Sequence, residues 1–398
     1  MARRYRPSDV PFCGLCQVLD AINNASADKK VKHLKNFHDN YLEKQSGDYY
    51  AIYRLLLPNI DLERGYYQLK EQDLARLLVK ACAASPEDSK RVLSWRDAAN
   101  SKGDLVETAY ECLLAKHCGK AKGQSTLTVG QVNALFDDLA RSSKNEDQKK
   151  VLMKLILELA PEEMKWVLRL VLRNKMRFQL GLNQVLSCIH PKAQELYNFT
   201  MSLRKVCEQL ANPELVLETQ RVVVGNVVKP HLAKRVDTVH EAFETMEGKA
   251  FVVETKFDGE RIQVHKCRDG SVRYFARSGI DHGPYSSYSA LDEMFLKLLV
   301  PPECVLDGEI IIWHAPSRKF LPFGSIKSVV KAVDQGKEDI DVLDNRGLLN
   351  SANDVAEKHL RLADCQVVYI AFDVLYTEHE GRLQSVLKLP LRERHELL

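Results

Sequence analysis

A chain of 398 residues is too long for one ordinary hydrophobic core and points to roughly two or three domains. Its 45% hydrophobic and 28% charged residues are those of a globular protein, and no uninterrupted apolar run is long enough to span a bilayer. The net charge of +3 excludes nucleic-acid binding by bulk charge alone, so any such surface must lie in local basic faces.

The N-terminus, Met1-Ala2-Arg3-Arg4-Tyr5-Arg6, is basic, but no apolar segment follows and no secretory signal is expected. Ten scattered cysteines read as reduced thiols in an intracellular protein. Cys13 and Cys16 precede His33 and His38 in zinc-finger order. Yet Val18, Leu19 and Ile22 recur at helical spacing, as do Leu34 and Phe37. Two helices with half-buried cysteines and surface histidines are expected there, rather than a metal site.

The pattern stays helical to about Leu210. Thr128 is a candidate N-cap before the stripe Val132, Leu135, Phe136 and Leu139. Leu152, Leu155, Ile156 and Leu159 mark the next helix. Ala160-Pro161-Glu162-Glu163 starts another, with proline in the first turn and acids at the positive end of the dipole. Within it Arg169, Arg173 and Arg177 are spaced four apart and would line one face, with Lys175 adjacent. Such a face is either simply solvated, opposite Leu168 and Leu172, or a contact to DNA phosphates. Lys29, Lys30, Lys32 and Lys35 form a weaker basic candidate.

The character changes near Asn212-Pro213, so residues 1–220 are expected as one domain and 221–398 as another. Arg221–Val224 and Phe251–Lys256 read as strands, and Arg261–His265 alternates like a half-buried one. Asp269-Gly270 signals a hairpin into Val272–Ala276. Cys304–Trp313 and Val367–Leu375 read as buried strands. The second part is therefore expected to be α+β with a mostly antiparallel sheet. Gly324 to Asp364 is charged and free of aromatics, and reads as a surface insertion or loop, with a short helix over 353–362.

The chemistry concentrates at Glu254-Thr255-Lys256-Phe257-Asp258-Gly259-Glu260-Arg261. A strand would deliver Lys256 to its end, Asp258-Gly259 would turn the chain, and the returning strand would begin at Arg261. A lysine nucleophile must first lose its proton, which from a reference pKa near 10.4 costs roughly 4–5 kcal/mol at pH 7. Neighbouring cations lower that cost and hold phosphate oxygens, and Arg261 and Arg277 are placed to do so. Alone, the segment could equally be a hairpin with an exposed lysine. Three further segments bear on it. Phe275-Ala276-Arg277-Ser278-Gly279 carries an arginine at a strand end, or merely a surface charge before a turn. Leu306-Asp307-Gly308-Glu309 offers a carboxylate for a ribose hydroxyl or Mg²⁺, or a charged strand end. Phe372 is a stacking platform for a base, or a core phenylalanine.

Taken in this order, the segments resemble the ATP-dependent DNA ligases of the lysine nucleotidyltransferase superfamily. Lys256-Phe257-Asp258-Gly259-Glu260-Arg261 fits the family pattern K-x-D-G-x-R, and Lys229-Pro230-His231-Leu232-Ala233 is similar to the Pro-x-Leu-Ala signature that opens the catalytic domain. Lys165–Arg169, Cys188–Ala193, Val206–Leu210 and Arg392–Leu398 are similar to the end-joining ligases of eukaryotes, particularly plant or algal ones. The resemblance implies an all-α DNA-binding domain followed by an α+β nucleotidyltransferase domain with an ATP-grasp-like antiparallel sheet.

It also implies roles. Lys256 would carry AMP, and Glu254 with the backbone at Thr255 would read the adenine edge. Phe257 would flank the nucleotide, Arg261 would contact ribose and phosphate, and Arg277 would hold phosphates. Glu309 would contact ribose or metal, and Phe372 would stack on adenine. ATP and Mg²⁺ are the implied cofactors, broken duplex DNA and a coiled-coil end-joining scaffold protein the implied partners, and the nucleus the implied compartment. Ala276 and Ser278 stand where the family usually has Ser and Asn, and Phe178-Gln179-Leu180 where helical domains often read Leu-Gly. The family's later glutamate and lysine-rich motifs, its OB-fold domain and the C-terminal repeats that bind the scaffold are not among these residues, so an incomplete catalytic domain is expected. A non-catalytic DNA-binding or scaffolding piece of such a ligase is the main alternative, and an RNA ligase or capping-type nucleotidyltransferase a weaker one.

Overall fold

The computed structural model describes residues 4–44, 48–97, 103–142, 144–173, 180–211, 222–231, 233–282, 288, 291–344 and 356–398. The chain divides into two compact units, one of Met1–Asn198 with Ser202–Glu218, the other of Phe199–Met201 with Thr219–Leu398.

Among its described residues the first unit is helical. It runs through α1 (Phe12–Asn24), α2 (Ala27–Tyr41), α3 (Tyr50–Leu56), α4 (Glu71–Ala81), α5 (Pro86–Leu93), α6 (Leu105–Ala109) and α7 (Ala115–His117). Then come α8 (Val129–Arg141), α9 (Asn145–Glu158), α10 (Pro161–Val171), α11 (Leu182–Leu186), α12 (Ala193–Thr200) and α13 (Leu203–Gln209). Local chemistry explains the starts. Thr128 Oγ1 accepts from the Gln131 N–H at 3.3 Å while Gln131 Oε1 accepts from the Thr128 N–H at 2.9 Å, a reciprocal capping box opening α8. Pro161 opens α10, whose Glu163 reaches back to the Ala160 N–H at 3.3 Å. The stripes Val132, Leu135, Phe136, Leu139 and Leu152, Leu155, Ile156, Leu159 are all buried. Cys13 and Cys16 lie on α1 and His33 and His38 on α2; His38 is buried and its Nδ1 pairs with the Tyr53 hydroxyl at 2.9 Å.

The arginine face differs from expectation. Arg169 is buried, its Nη2 donating to Glu107 Oε1 at 2.7 Å and its Nη1 lying 3.6 Å from Asp104 Oδ2. The helix ends at Val171, and Arg173 has left it, with φ +42°. Arg173 Nη2 donates to the carbonyls of Arg64 and Gly65 at 3.1 and 2.8 Å, and its guanidinium lies over the rings of Tyr66 and Tyr67. These two arginines tie the unit together instead of forming an open phosphate-binding row. Arg177, Lys175, Phe178 and Gln179 lie outside the described residues. Lys29, Lys32 and Lys35 are exposed on α2, whereas Lys30 is buried.

The second unit is built on an antiparallel sheet of β1 (Glu260–Lys266), β2 (Val272–Ala276), β3 (Cys304–His314), β4 (Lys319–Phe320), β7 (Cys365–His379) and β8 (Arg382–Ser385). The order is β2-β1-β3-β7-β8, with β4 on β3, and β5 (Asp339–Asp344) pairs β6 (Ala356–Arg361) as a separate hairpin. Helices α14 (Val239–Thr245), α15 (Asp292–Leu298), α16 (Ser325–Asp334) and α17 (Leu391–Glu396) complete it. Alternation along β1 sorts its faces. Ile262 and Val264 join Tyr274, Phe295, Ile310, Ile312, Ile326 and Val329 in the core beneath α15 and α16. Arg261, Gln263 and His265 point the other way, as the period of two requires.

That second face explains why 222–224 is not a strand. The Gln263 amide accepts from the Val228 N–H at 3.1 Å and donates to the Val228 carbonyl at 2.6 Å, and His265 Nδ1 accepts from the Gly225 N–H at 3.1 Å. These bonds fix the turn and the chain just after 222–224, while Val222 and Val224 pack with Val228, Val305 and Leu375 without a backbone ladder; Arg221 lies outside the described residues. Residues 251–256 are likewise not a strand: they run beside the sheet without joining its ladder, in which β1 is paired by β2 and β3. The stretch from Gly324 to Asp364 is not simply a loop. It holds α16 and the β5–β6 hairpin, so Ala356–Arg361 is a strand and not the expected helix, while Asn353 lies outside the described residues.

Candidate active site

Two glycines set the local geometry. A Cβ on Gly259 would stand 2.2 Å from the Ile310 carbonyl oxygen and 2.3 Å from Ile311 Cγ2. A Cβ on Gly308 would stand 2.4 Å from the ring of Tyr369 and 2.6 Å from the Ile370 oxygen. Only glycine lets the turn after Lys256 press onto β3, and β3 press onto β7. The contact is used chemically: the Gly259 N–H donates to Glu309 Oε1 at 3.0 Å.

The ladder then places the charges. Arg261 on β1 faces Glu309 on β3, and a register shift between Asp307 and Gly308 breaks the β3–β7 ladder beside them. Arg261 donates from Nε and Nη2 to the two oxygens of Asp307 at 3.0 and 2.7 Å, and from Nη1 to the His231 carbonyl at 3.1 Å. Its guanidinium lies over the Phe372 ring, 5.1 Å from the centroid. Burial pushes the Asp307 carboxyl up from its ordinary value while Arg261 pulls it down. Burial also raises Glu309, against the Gly259 N–H and the charges of Lys256 and Arg261.

One cavity of about 1500 Å³ is lined by Glu254, Thr255, Lys256, Phe257, Arg261, Arg277, Glu309 and Phe372, which are all the residues expected to hold a nucleotide. Lys256 and Arg277 are exposed and make no hydrogen bond or ion pair among the described residues. Two uncommitted cations and a carboxylate therefore share a wall with an aromatic ring. Phe257 lines the cavity too, but its ring also meets Phe320 edge-on at 5.8 Å.

Several residues of the site were not anticipated, one buried behind the cavity wall and three in its lining. Asp307 orients Arg261, and its position two residues from Glu309 puts both acids on one strand face, a signal present in the sequence. Lys327 reaches the cavity from α16 and His395 from α17. His282 lines it with a buried Nε2 that has no hydrogen-bond partner among the described residues. Burial lowers the His282 pKa, Glu260 and Asp281 oppose this, and Lys327 adds to it. No local pattern marks these three, because folding brings them from distant segments. Leu232 lies outside the described residues, but Ala233 lines the cavity.

Comparison with known proteins gives a consistent result. The family described as "DNA ligase N terminus" matches residues 11–190, and that described as "ATP dependent DNA ligase domain" matches residues 230–398. DNA ligase 4 of Arabidopsis thaliana is 32% identical over 397 residues, covering 98% of this chain and 30% of the relative. DNA ligase 4 of Gallus gallus is 30% identical over 422 residues, covering 100% and 45%. DNA ligase 4 of Homo sapiens is 30% identical over 419 residues, covering 98% and 42%. The chain thus spans less than half the length of each of these relatives.

Proposed function

Since the chain belongs to the ATP-dependent DNA ligase family, we propose that it takes AMP from ATP onto Lys256 and serves the sealing of broken duplex DNA in end joining. The observation that carries this is the single cavity that gathers exposed Lys256 with Arg261, Arg277, Glu309 and Phe372. Deprotonated Lys256 Nζ attacks the α-phosphorus of ATP; a P–N bond forms and the bond to pyrophosphate breaks. AMP then passes to a DNA 5′-phosphate, freeing the lysine. A 3′-hydroxyl attacks that phosphate, the phosphodiester forms and AMP leaves.

The residues divide the work. Phe372 stacks on the base, with Arg261 behind the ring to fix it. Glu254 and the Thr255 backbone meet the base edge, Phe257 flanks the nucleotide, and Arg277 is free to take phosphate oxygens. Arg261, held by Asp307, presents its remaining edge to ribose and phosphate. Glu309 is a hard oxygen donor beside Asp258, a chemistry that fits Mg²⁺, which bound there would offset phosphate charge. The same reading makes the chain a nuclear repair protein. It also gives a coiled-coil end-joining scaffold protein as a partner, which is assigned to neither unit.

The test is incubation with Mg²⁺ and α-labelled ATP, followed by denaturation. Label should stay with the wild-type protein and be absent from Lys256→Ala. Wild-type protein that retains no label would sink autonomous adenylation and favour a non-catalytic DNA-binding role, and preferential labelling by GTP would favour a capping-type enzyme.

A further inference from the structure

Glu254 must present an acceptor to the base edge with sub-ångström precision, yet no ladder holds it. Residues 251–256 lie outside the sheet, and Glu254 is exposed. A site carried on such a segment needs support from a rigid element. The structure offers one support. His395 Nε2 lies 3.6 Å from Glu254 Oε1 and 3.2 Å from the carbonyl oxygen of Phe372. A carbonyl can only accept, so Nε2 carries the proton and donates it to Phe372, while the Glu254 carboxylate lies beside the same nitrogen at contact distance. One imidazole therefore touches the residue that stacks on the base and the residue that reads its edge.

The imidazole is itself fixed. Its neighbour Arg394 is buried and donates to both oxygens of Asp373, at 2.7 and 3.0 Å, and to the Leu389 carbonyl at 2.6 Å. Asp373 directly follows Phe372. The helix α17 is thus locked to the strand that carries the platform, and His395 extends that lock across the cavity to Glu254.

We propose that His395 is a positioning residue that sets purine selectivity by holding the Glu254 carboxylate in register with the Phe372 platform. A carboxylate so held accepts from the 6-amino group of adenine and repels the 6-oxygen of guanine. The proposal rests on the reading of the cavity as an ATP site.

The experiment is equilibrium binding of ATP, GTP and purine riboside triphosphate, which lacks the 6-amino group, to the 398-residue protein. Calorimetry is the readout, so that turnover is not required. Wild type should prefer ATP over the other two by about tenfold or more, the factor that about 1.4 kcal/mol of lost contact gives. His395→Phe keeps the volume but removes the donor, and should bring the three within about threefold of one another. His395→Gln carries an N–H and should restore part of the preference. Glu254→Gln should relax selectivity as well, and combining it with His395→Phe should add little, since both act through one contact. With ATP saturating, adenylation of Lys256 should proceed at the wild-type rate in His395→Phe, so that KM moves and kcat does not. Wild-type selectivity retained in folded His395→Phe, or an additive double variant, overturns the proposal alone. Wild-type protein that binds none of the three nucleotides overturns the adenylation reading and this inference together.

Discussion

Gly259 sits between the turn after Lys256 and the first residue of β1, where backbone meets backbone. The atom that an added methyl would strike first is the Ile310 carbonyl oxygen at 2.2 Å, which cannot swing aside as a side chain could. Gly259→Ala should therefore cost about 3 kcal/mol in the second unit and abolish the Gly259–Glu309 bond, lowering the yield of lysyl-AMP. Denaturant unfolding and α-label retention read the two effects; a variant with unchanged midpoint and label would refute the close approach. A second residue-scale expectation concerns His265. It is fully buried, and burial first, then the Arg273 charge, lower its pKa to about 3, with Asp281 opposing. An unfolded histidine titrates near 6.5, so between about pH 3 and 6.5 the unfolded chain binds a proton that the folded one does not. Stability is then lost as pH falls, by about 2 kcal/mol between pH 7 and 5. His265→Asn offers Oδ1 to the Gly225 N–H and should show a shallower decline over that window. The raised carboxyls of Asp307 and Glu309 titrate in both proteins and cancel in the difference, so equal slopes would count against the assignment. At this scale the sequence was informative about the surroundings of Lys256, because K-x-D-G-x-R places Lys256 and Arg261, which line one cavity, within six residues. It was silent on His395 and Lys327, which reach the cavity only through packing.

Elements were legible where their cause is local. Thr128, Pro161 and the apolar stripes mark α8, α9 and α10 within a few residues of chain. They failed where pairing is distant: Ala356–Arg361 is a strand because Asp339–Asp344 lies beside it, a partner that no window around 356 contains. Residues 251–256 carry strand-forming side chains, yet they pair with no strand of the sheet, and nothing in their own sequence shows this. The arginines of α10 failed for another reason, since spacing by four assumes that the helix continues, and it stops at Val171. The placement of Arg169 has a measurable consequence. Removing a buried cation from between Asp104 and Glu107 leaves two acids without it, which costs about 3 kcal/mol. Arg169→Ala should therefore lower the unfolding midpoint of the helical unit. At temperatures where it remains folded, its affinity for nicked duplex should fall with salt at the wild-type slope, because no phosphate contact has been lost. A slope shallower by about one would instead restore Arg169 as a phosphate ligand.

At the scale of the whole molecule, the division at Glu218 and Thr219 gives each unit a size typical of an independent domain, and each has its own buried core. Independent cores predict independent unfolding, so calorimetry should resolve two transitions. Ligands should then act on them selectively. A ligand that binds only the folded state stabilises by about 2.7 kcal/mol at a hundredfold excess over its Kd. For a domain of this size that corresponds to a rise of roughly 5–10 °C. The proposed ATP cavity is lined wholly by residues of the second unit, so ATP should move one transition and leave the other in place. Nicked duplex DNA at low salt should move the other, if the helical unit carries the DNA contact that its match to the ligase N terminus suggests. Residues 4–218 made alone should reproduce the DNA-sensitive transition, and 222–398 alone the ATP-sensitive one. A single transition that both ligands shift equally would show that the two units fold as one cooperative body, and the separation of DNA holding from nucleotide chemistry would have to be abandoned.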